Sequence, residues 1–179
     1  MHVAIVCFFV TVLAGIVKGQ SLHYTRYSTN DGLMSNWVTA LYQDAEGLVW
    51  VGTSEGLSRF DGTSFANVTT QEGLPNNFVS CIAGGWGGAR GMFVGTYDGA
   101  VMVDHARVTP ITTMRGNISE ALEDQRGTGW VVIGGRLFSR HGREMRDRSD
   151  EAPFDVLDIV VSPNGALLAA GSGDLVELG

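Results

Sequence analysis

Proline, cysteine and positive charge are all scarce in this chain of 179 residues. Four prolines, set against 25 glycines, argue against a disordered Pro-rich segment and favour many tight turns. The two cysteines, Cys7 and Cys81, are too few for a disulfide scaffold. A formal net charge of −7 leaves no electrostatic basis for binding nucleic acid or an anionic membrane surface, so neither is expected as a partner.

No apolar run is long enough to span a membrane comfortably. The longest, Val3 to Val17, has about 15 residues, which is typical of a signal-peptide core. Cleavage after Gly19 is predicted, so residues 1–19 are interpreted as a signal peptide and the protein as exported. An uncleaved anchor and a misassigned start codon are the alternatives. Cleavage would remove Cys7 and leave Cys81 as the only cysteine. Cys81 lies in an apolar strand, where a buried, inert thiol is expected.

Two segments of the chain repeat one pattern. They cover residues 32–65 and 73–103, and their Gly-Leu pairs at Gly32 and Gly73 lie 41 residues apart. A repeat of about 40 residues, made of short β-like runs and Gly-containing turns, indicates the blade of a β-propeller. Each blade is a sheet that cannot bury its faces alone, so it must stack on a neighbour.

The predicted fold is therefore all-β: a β-propeller of four-stranded antiparallel blades within residues 20–179. About four blades are expected, at residues 37–69, 78–112, 118–148 and 154–178. The fourth ends after its third strand, and the lone strand Leu22 to Ser28 is predicted to close it. The counts permit a closed ring of four blades or part of a larger ring. The end of the chain on a turn residue favours truncation.

Large aromatic residues recur on the second strand of the repeats. Asp44 precedes Trp50 in the first copy, and Asp124 precedes Trp130 at the same spacing in the third. In the second copy this turn is lost and Phe93 takes the aromatic position. Large rings at this position are predicted to pack between twisted blades.

No catalytic constellation is recognisable, so no enzymatic activity is predicted. Cys81 has no base close in sequence, since His23, His105 and His141 lie in separate segments. No His/Cys pair has metal-ligand spacing, and no glycine-rich phosphate loop precedes a helix. The sequence therefore predicts no metal and no other cofactor.

The first copy, GLMSNWVTALYQDAEGLVWVGTSEGLSRFDGTSF, resembles the two-component regulator propeller repeat at nearly every fixed position. The second copy matches at Gly73 to Asn77 and at Val94 to Thr96. The resemblance implies the extracytoplasmic sensor region of a hybrid two-component histidine kinase, on the periplasmic or extracellular side of the inner membrane. It also implies a glycan-derived or other small polar ligand, downstream or partner sensor-kinase domains, and a homodimer formed through the full-length protein.

Strand alternation predicts which loops share one face. The loop before the first strand of a blade and the loop joining its second and third strands open on the same side, where Asn, Trp, Tyr and Asp suit stacking and hydrogen bonding to a sugar. The candidate ligand-binding residues are Asn36, Trp37, Ser54, Glu55, Asn76, Asn77, Phe78, Tyr97 and Asp98. Turn chemistry is the alternative for each, since Asn and Asp also bond their own main chain.

Two other functions stay open at this point. A secreted, free-standing propeller would act as a protein- or carbohydrate-binding scaffold. A propeller lyase or glycosidase would need an acid pair, for which Glu55 and Asp98 lie on the same predicted face.

Overall fold

The computed structural model describes residues 24–86, 91–105, 107–111, 113–142 and 144–178. Within them the chain forms four antiparallel sheets, each built from strands that are consecutive in sequence. Three sheets have four strands and the last has three. This is the predicted β-propeller architecture, so the fold class is confirmed.

The sheets are numbered as blades in chain order. Blade one contains β1 Val38–Gln43, β2 Val49–Thr53, β3 Leu57–Phe60 and β4 Phe65–Val68. Blade two contains β5 Val79–Gly84, β6 Gly91–Thr96, β7 Gly99–Asp104 and β8 Arg107–Pro110. Blade three contains β9 Ile118–Glu123, β10 Gly129–Ile133, β11 Arg136–His141 and β12 Glu144–Asp147. Blade four contains β13 Val156–Val161, β14 Leu167–Gly171 and β15 Leu175–Leu178, and a short 3-10 turn, Thr29–Asp31, precedes blade one.

Blades stack in chain order through their first strands: β1 contacts β5, β5 contacts β9, and β9 contacts β13. An apolar cluster fills each seam, meaning the contact between two consecutive blades. Trp50 lies in the seam between blades one and two, Phe93 in the next, and Trp130 in the third. All three rings are buried, which confirms their predicted role in packing between blades.

Asp44 organises the first hairpin turn of blade one. One carboxylate oxygen accepts hydrogen bonds from the backbone N–H groups of Glu46 and Leu48, at 3.0 and 2.9 Å. The other accepts the indole N–H of Trp50 at 2.8 Å. A single carboxylate thus closes the turn and satisfies the polar atom of the buried ring beside it.

Asp124 makes the same arrangement in blade three. It accepts from the backbone of Arg126 and Thr128, both at 2.9 Å, and from the indole N–H of Trp130 at 3.0 Å. The Asp and the Trp therefore belong together, because each Trp buried at this position needs an acceptor for its N–H.

Blade two fills its seam differently. Phe93 carries no N–H, so no acceptor is required and no Asp occupies the turn. Trp86 of that turn packs on Phe93 instead, with ring centroids 4.3 Å apart. Gly129 of blade three leaves room for it, because a Cβ there would come within 2.8 Å of the indole. The guanidinium of Arg140 covers the same ring at 5.5 Å from its centroid.

Hydroxyl groups link the first strands of blades one, two and three. Each first strand has a register shift beside its second residue, a bulge that re-aims that side chain. At this position Thr39 donates its hydroxyl to the carbonyl of Val79 in blade two, at 2.7 Å. Ser80 in turn donates to the carbonyl of Ile118 in blade three. Leu157 holds the position in blade four and has no hydroxyl to donate.

Only residues 24–28 of the predicted closing strand, Leu22 to Ser28, lie within the described part of the chain. These residues have no strand structure, and β15 pairs only with β14 among the described residues. Tyr27 packs on Phe60 and Phe65, with ring centroids 4.7 and 5.7 Å apart. These contacts hold the described part of the segment against blade one.

Both ends of the stack carry exposed apolar residues. Val38 and Leu41 of blade one are 42% and 67% exposed, and Leu157, Val160 and Leu175 of blade four are exposed to a similar degree. The described residues therefore form an arc with two open faces. The predicted signal peptide, residues 1–19, lies outside the described residues, and no helix within the described part is long and apolar enough to cross a membrane.

Candidate functional site

Two kinds of loop meet at one end of blades one and two. The backbone N–H of Ser54 donates to the carbonyl of Trp37 at 3.1 Å, and Tyr97 donates to Phe78 in the same way at 3.1 Å. These bonds hold the loop after the second strand of each blade against the residue just before its first strand. The structure thus brings together candidate residues that are distant in sequence.

Three candidate aromatic residues form a continuous row, here called the aromatic ladder: Trp37, Phe78 and Tyr97. The ring of Trp37 meets that of Phe78 edge-on at 6.0 Å between centroids, and Phe78 stacks on Tyr97 at 4.1 Å. Trp37 remains 66% exposed and Tyr97 52% exposed. Large rings held by one another yet open to solvent form a rigid, amphipathic surface suited to stacking a ligand.

The three candidate asparagines serve the backbone. The side-chain oxygen of Asn36 accepts the N–H of Thr29 at 3.0 Å, and that of Asn77 accepts the N–H of Thr70 at 2.8 Å. Asn76 accepts the N–H of Phe78 at 2.8 Å. The amide nitrogen of Asn36 also donates to the Thr29 hydroxyl at 3.4 Å. The side-chain oxygens are therefore engaged within the protein, and the remaining amide N–H groups are available to a ligand.

The remaining candidates flank the ladder. The hydroxyl of Ser54 lies 3.0 Å from that of Ser35, while Glu55 is exposed. Asp98 accepts the backbone N–H of Gly116 at 3.4 Å.

A small cleft of about 120 Å³ opens beside Asp98. Arg115 provides its other charged group, and Pro75 and Met114 belong to its apolar lining. Arg115 was not among the sequence-predicted site residues. It lies in a connection between blades with no repeat partner, so no pattern pointed to it. Only the chain path places it near the ladder loop that carries Asp98.

Cys81 is excluded as a nucleophile by its surroundings. The side chain is 5% exposed, and burial together with the nearby Glu120 carboxylate raises its pKa to about 12. The thiol is therefore protonated and inert at neutral pH, as the sequence predicted. Among the described residues, no group of three or more His, Cys, Asp or Glu side chains is placed to hold a metal ion.

We expect Cys81 to resist thiol reagents in the folded protein. In a Cys7→Ser variant, DTNB should label no thiol under native conditions and one per chain in urea, because the reactive thiolate is absent until the seam opens. Absorbance at 412 nm gives the count. Complete labelling within minutes without urea would contradict the buried placement of this side chain.

A family comparison adds to this geometry. The model of the two-component regulator propeller matches residues 32–55, the stretch that contains Trp37, the Asp44 turn and Trp50. Residues 32–55 are a two-component regulator propeller repeat. The resemblance predicted from the sequence is confirmed over this segment. A search of curated proteins finds no match to the chain.

Solved structures share the propeller fold. The extracellular domain of BT4673 from B. thetaiotaomicron, described as a hybrid two-component system, superimposes with a TM-score of 0.69 at 20% identity, covering 80% of this chain and 21% of that one. Virginiamycin B lyase from Staphylococcus aureus superimposes with a TM-score of 0.62 at 13% identity, covering 79% of this chain and 52% of that one. PorZ is a surface component of the type-IX secretion system of Porphyromonas gingivalis. It superimposes with a TM-score of 0.59 at 14% identity, covering 78% of this chain and 24% of that one. This chain thus spans about a fifth of the BT4673 domain.

Proposed function

We propose that this chain is the ligand-sensing propeller of an exported two-component signalling protein. The two-component regulator propeller repeat and the fold shared with the BT4673 extracellular domain support this role. The signal would pass to sensor-kinase domains in a longer protein or on a partner chain, through association of two sensor copies. The proposed site lies on the outer side of the cell membrane.

The aromatic ladder is the observation on which the proposed site depends. It joins Trp37 of blade one to Phe78 and Tyr97 of blade two, and it leaves two of the three rings half exposed or more. The C–H faces of sugar rings stack well on such surfaces. The amide group of Asn77 lies on the same loops to meet hydroxyl groups, as does the second amide N–H of Asn36, which donates its first to Thr29. An oligosaccharide is therefore the proposed ligand class.

A ligand on the ladder would contact two blades at once. Its binding energy would favour whichever inter-blade arrangement brings the rings into line, since a ligand shifts an equilibrium only by its difference in affinity for the two states. A change in the packing of one seam would alter the packing of the next seam, and in this way would reach a partner domain.

We expect neutral oligosaccharides to quench the fluorescence of the full chain through Trp37. The protein has four tryptophans, and Trp50, Trp86 and Trp130 are at most 8% exposed, whereas Trp37 is 66% exposed. Titration with a panel of di- to hexasaccharides should therefore change mainly Trp37 emission. Trp37→Ala should weaken binding about tenfold or more, as measured by calorimetry, because it removes the largest ring of the ladder.

Leu41→Ala provides the control, since Leu41 is 67% exposed on a different surface and should leave affinity unchanged. Equal loss in both variants, or no binding by any member of the panel, would refute the ladder as a sugar site. Binding followed by cleavage of the oligosaccharide would instead favour the enzyme alternative. Binding without any effect on association with a sensor kinase would favour the free-standing scaffold.

A further inference from the structure

The cleft beside Asp98 adjoins the aromatic ladder. Asp98 directly follows Tyr97, and Pro75, which also lines the cleft, lies three residues before Phe78. The ladder and the cleft are therefore built on the same two loops. All lining residues belong to blade two or to the connections on either side of it, so the walls of the cleft do not depend on either end of the chain.

The cleft has room for one substituent of a ligand rather than for a whole ligand. Its volume is about 120 Å³, whereas pockets that enclose a whole ligand measure roughly 300–1,000 Å³. Pro75, Ile111 and Met114 make part of its wall apolar. A substituent that buries a methyl group against this wall would bind better than one that is polar throughout.

Blade one fills the corresponding space with a side chain of its own. Gly56 and Gly99 each lie just before the third strand or at its start, in blades one and two. A Cβ atom on Gly56 would meet the Cγ atom of Met34 at 3.0 Å, and one on Gly99 would meet the Cβ atom of Pro75 at 3.4 Å. Met34 and Pro75 each follow the Gly-Leu pair of their repeat. The shorter side chain of the proline accounts for the opening in blade two.

Two opposite charges line the cleft. Asp98 and Arg115 are both exposed, and no ion pair joins them among the residues that the structure describes. Asp98 would repel a carboxylate ligand, and Arg115 would repel an ammonium group. A zwitterion would match both side chains, but both of its charges would lose hydration on entering the cleft. A neutral group with one hydrogen-bond donor and one acceptor serves both side chains at a smaller desolvation cost.

Backbone hydrogen bonds tie the loop of Asp98 to the connection that carries Arg115. The N–H of Gly99 donates to the carbonyl of Gly116 at 2.9 Å, and the N–H of Gly116 donates to the Asp98 carboxylate at 3.4 Å. Gly116 directly follows Arg115 in the chain. A carboxylate has about four acceptor positions, so Asp98 can accept a further donor from a ligand.

We infer that the cleft binds the acetamido group of an N-acetylated sugar. The amide N–H of the ligand donates to Asp98, and its amide carbonyl accepts from Arg115. Its methyl group packs against Pro75 and Met114, while the sugar ring that carries it stacks on Tyr97. The inference rests on the proposed function and narrows its ligand class to oligosaccharides that contain N-acetylhexosamine.

Matched saccharides test this inference on the full chain. Tetra-N-acetylchitotetraose and cellotetraose share one β-1,4-linked ring skeleton and differ in having an acetamido group or a hydroxyl at C2. N-acetylgalactosamine and galactose form a second such pair. In at least one pair, calorimetry should give the N-acetylated member a Kd about tenfold lower or better, because it gains hydrogen bonds to two charged side chains.

Pro75→Met is the most selective variant, because it installs in blade two the residue that blade one has at this position. It should fill the cleft and leave Trp37 and Tyr97 in place. The Kd of the N-acetylated sugar should then rise to that of its hydroxyl partner, whose own Kd stays unchanged. Arg115→Ala should produce part of the same loss. Arg126→Ala is its control, since it removes a charge from an exposed turn of blade three and should change neither Kd.

The possible results separate this inference from the proposed sugar site. Equal affinity within both pairs would overturn the assignment of the cleft and leave the ladder as a sugar site, as would binding of other neutral oligosaccharides but none of these four. A preference for the N-acetylated sugar that survives both Pro75→Met and Arg115→Ala would also overturn it. Displacement of the bound sugar by free alanine would reassign the cleft to a zwitterion. No binding by any saccharide would refute the proposed function itself.

Discussion

Replacing Phe93 by alanine is expected to lower the free energy of unfolding by about 3–5 kcal/mol. The ring is fully buried in the seam between blades two and three, and its centroid lies 4.3 Å from that of Trp86. Blades in a propeller are stabilised mainly by their neighbours, so a cavity in one seam weakens two sheets together. Urea unfolding followed by far-UV circular dichroism measures the change.

Leu41→Ala is the matched control for Phe93→Ala. It also removes a large apolar side chain from a strand, but Leu41 is 67% exposed, and its loss should change stability by less than about 0.5 kcal/mol. Similar urea midpoints for the two variants would mean that packing in the seam contributes little to the stability of the fold.

Replacing Asp124 by alanine is expected to cost about 2–3 kcal/mol, because three N–H groups lose a charged acceptor. The Trp130 indole N–H, on a largely buried ring, has the least access to water as a substitute. In a double-mutant cycle with Trp130→Phe, part of this loss should disappear, since phenylalanine needs no acceptor. Blade two already shows the combination made in this double variant, since it has Phe93 in place of the Trp and no Asp in the turn.

The contribution of Asp124 should depend on pH. Partial burial raises the pKa of this carboxyl, but hydrogen bonds from Trp130, Thr128 and Arg126 outweigh burial and hold the pKa below its usual value of 3.8. A lowered folded-state pKa means that the stabilisation is present above the unfolded-state value and is lost as the pH falls through the folded one. The stability difference between wild type and Asp124→Asn should therefore shrink below about pH 4.

Asp61→Ala is the control for the loss of stability expected in Asp124→Ala. Asp61 also closes a hairpin turn, through the backbone N–H groups of Thr63 and Ser64, but it supports no buried ring. Its removal should cost less than that of Asp124. An equal cost in both variants would mean that the turn, rather than the indole bond, accounts for the effect.

The candidate site was only partly predictable from the sequence. Repeat spacing placed Trp37, Phe78 and Tyr97 on one face because their loops recur at matching positions in two blades. That their rings would stack into one ladder depended on how far blade two rotates relative to blade one, which is set by the seam. Arg115, which lines the cleft, could not be predicted because no repeat pattern marks the connection in which it lies.

The sequence by itself determined the blade: the Asp44 turn, the Trp50 that follows it and the alternating strands are local signals, readable within one repeat. It also indicated the buried state of Cys81. Only the tertiary structure decided how blades meet. Tyr27 contacts Phe60 and Phe65 of blade one, and Trp86 packs on Phe93 against Gly129 of blade three. Contacts between distant segments depend on the sum of many weak packing terms, and no single residue pattern encodes that sum.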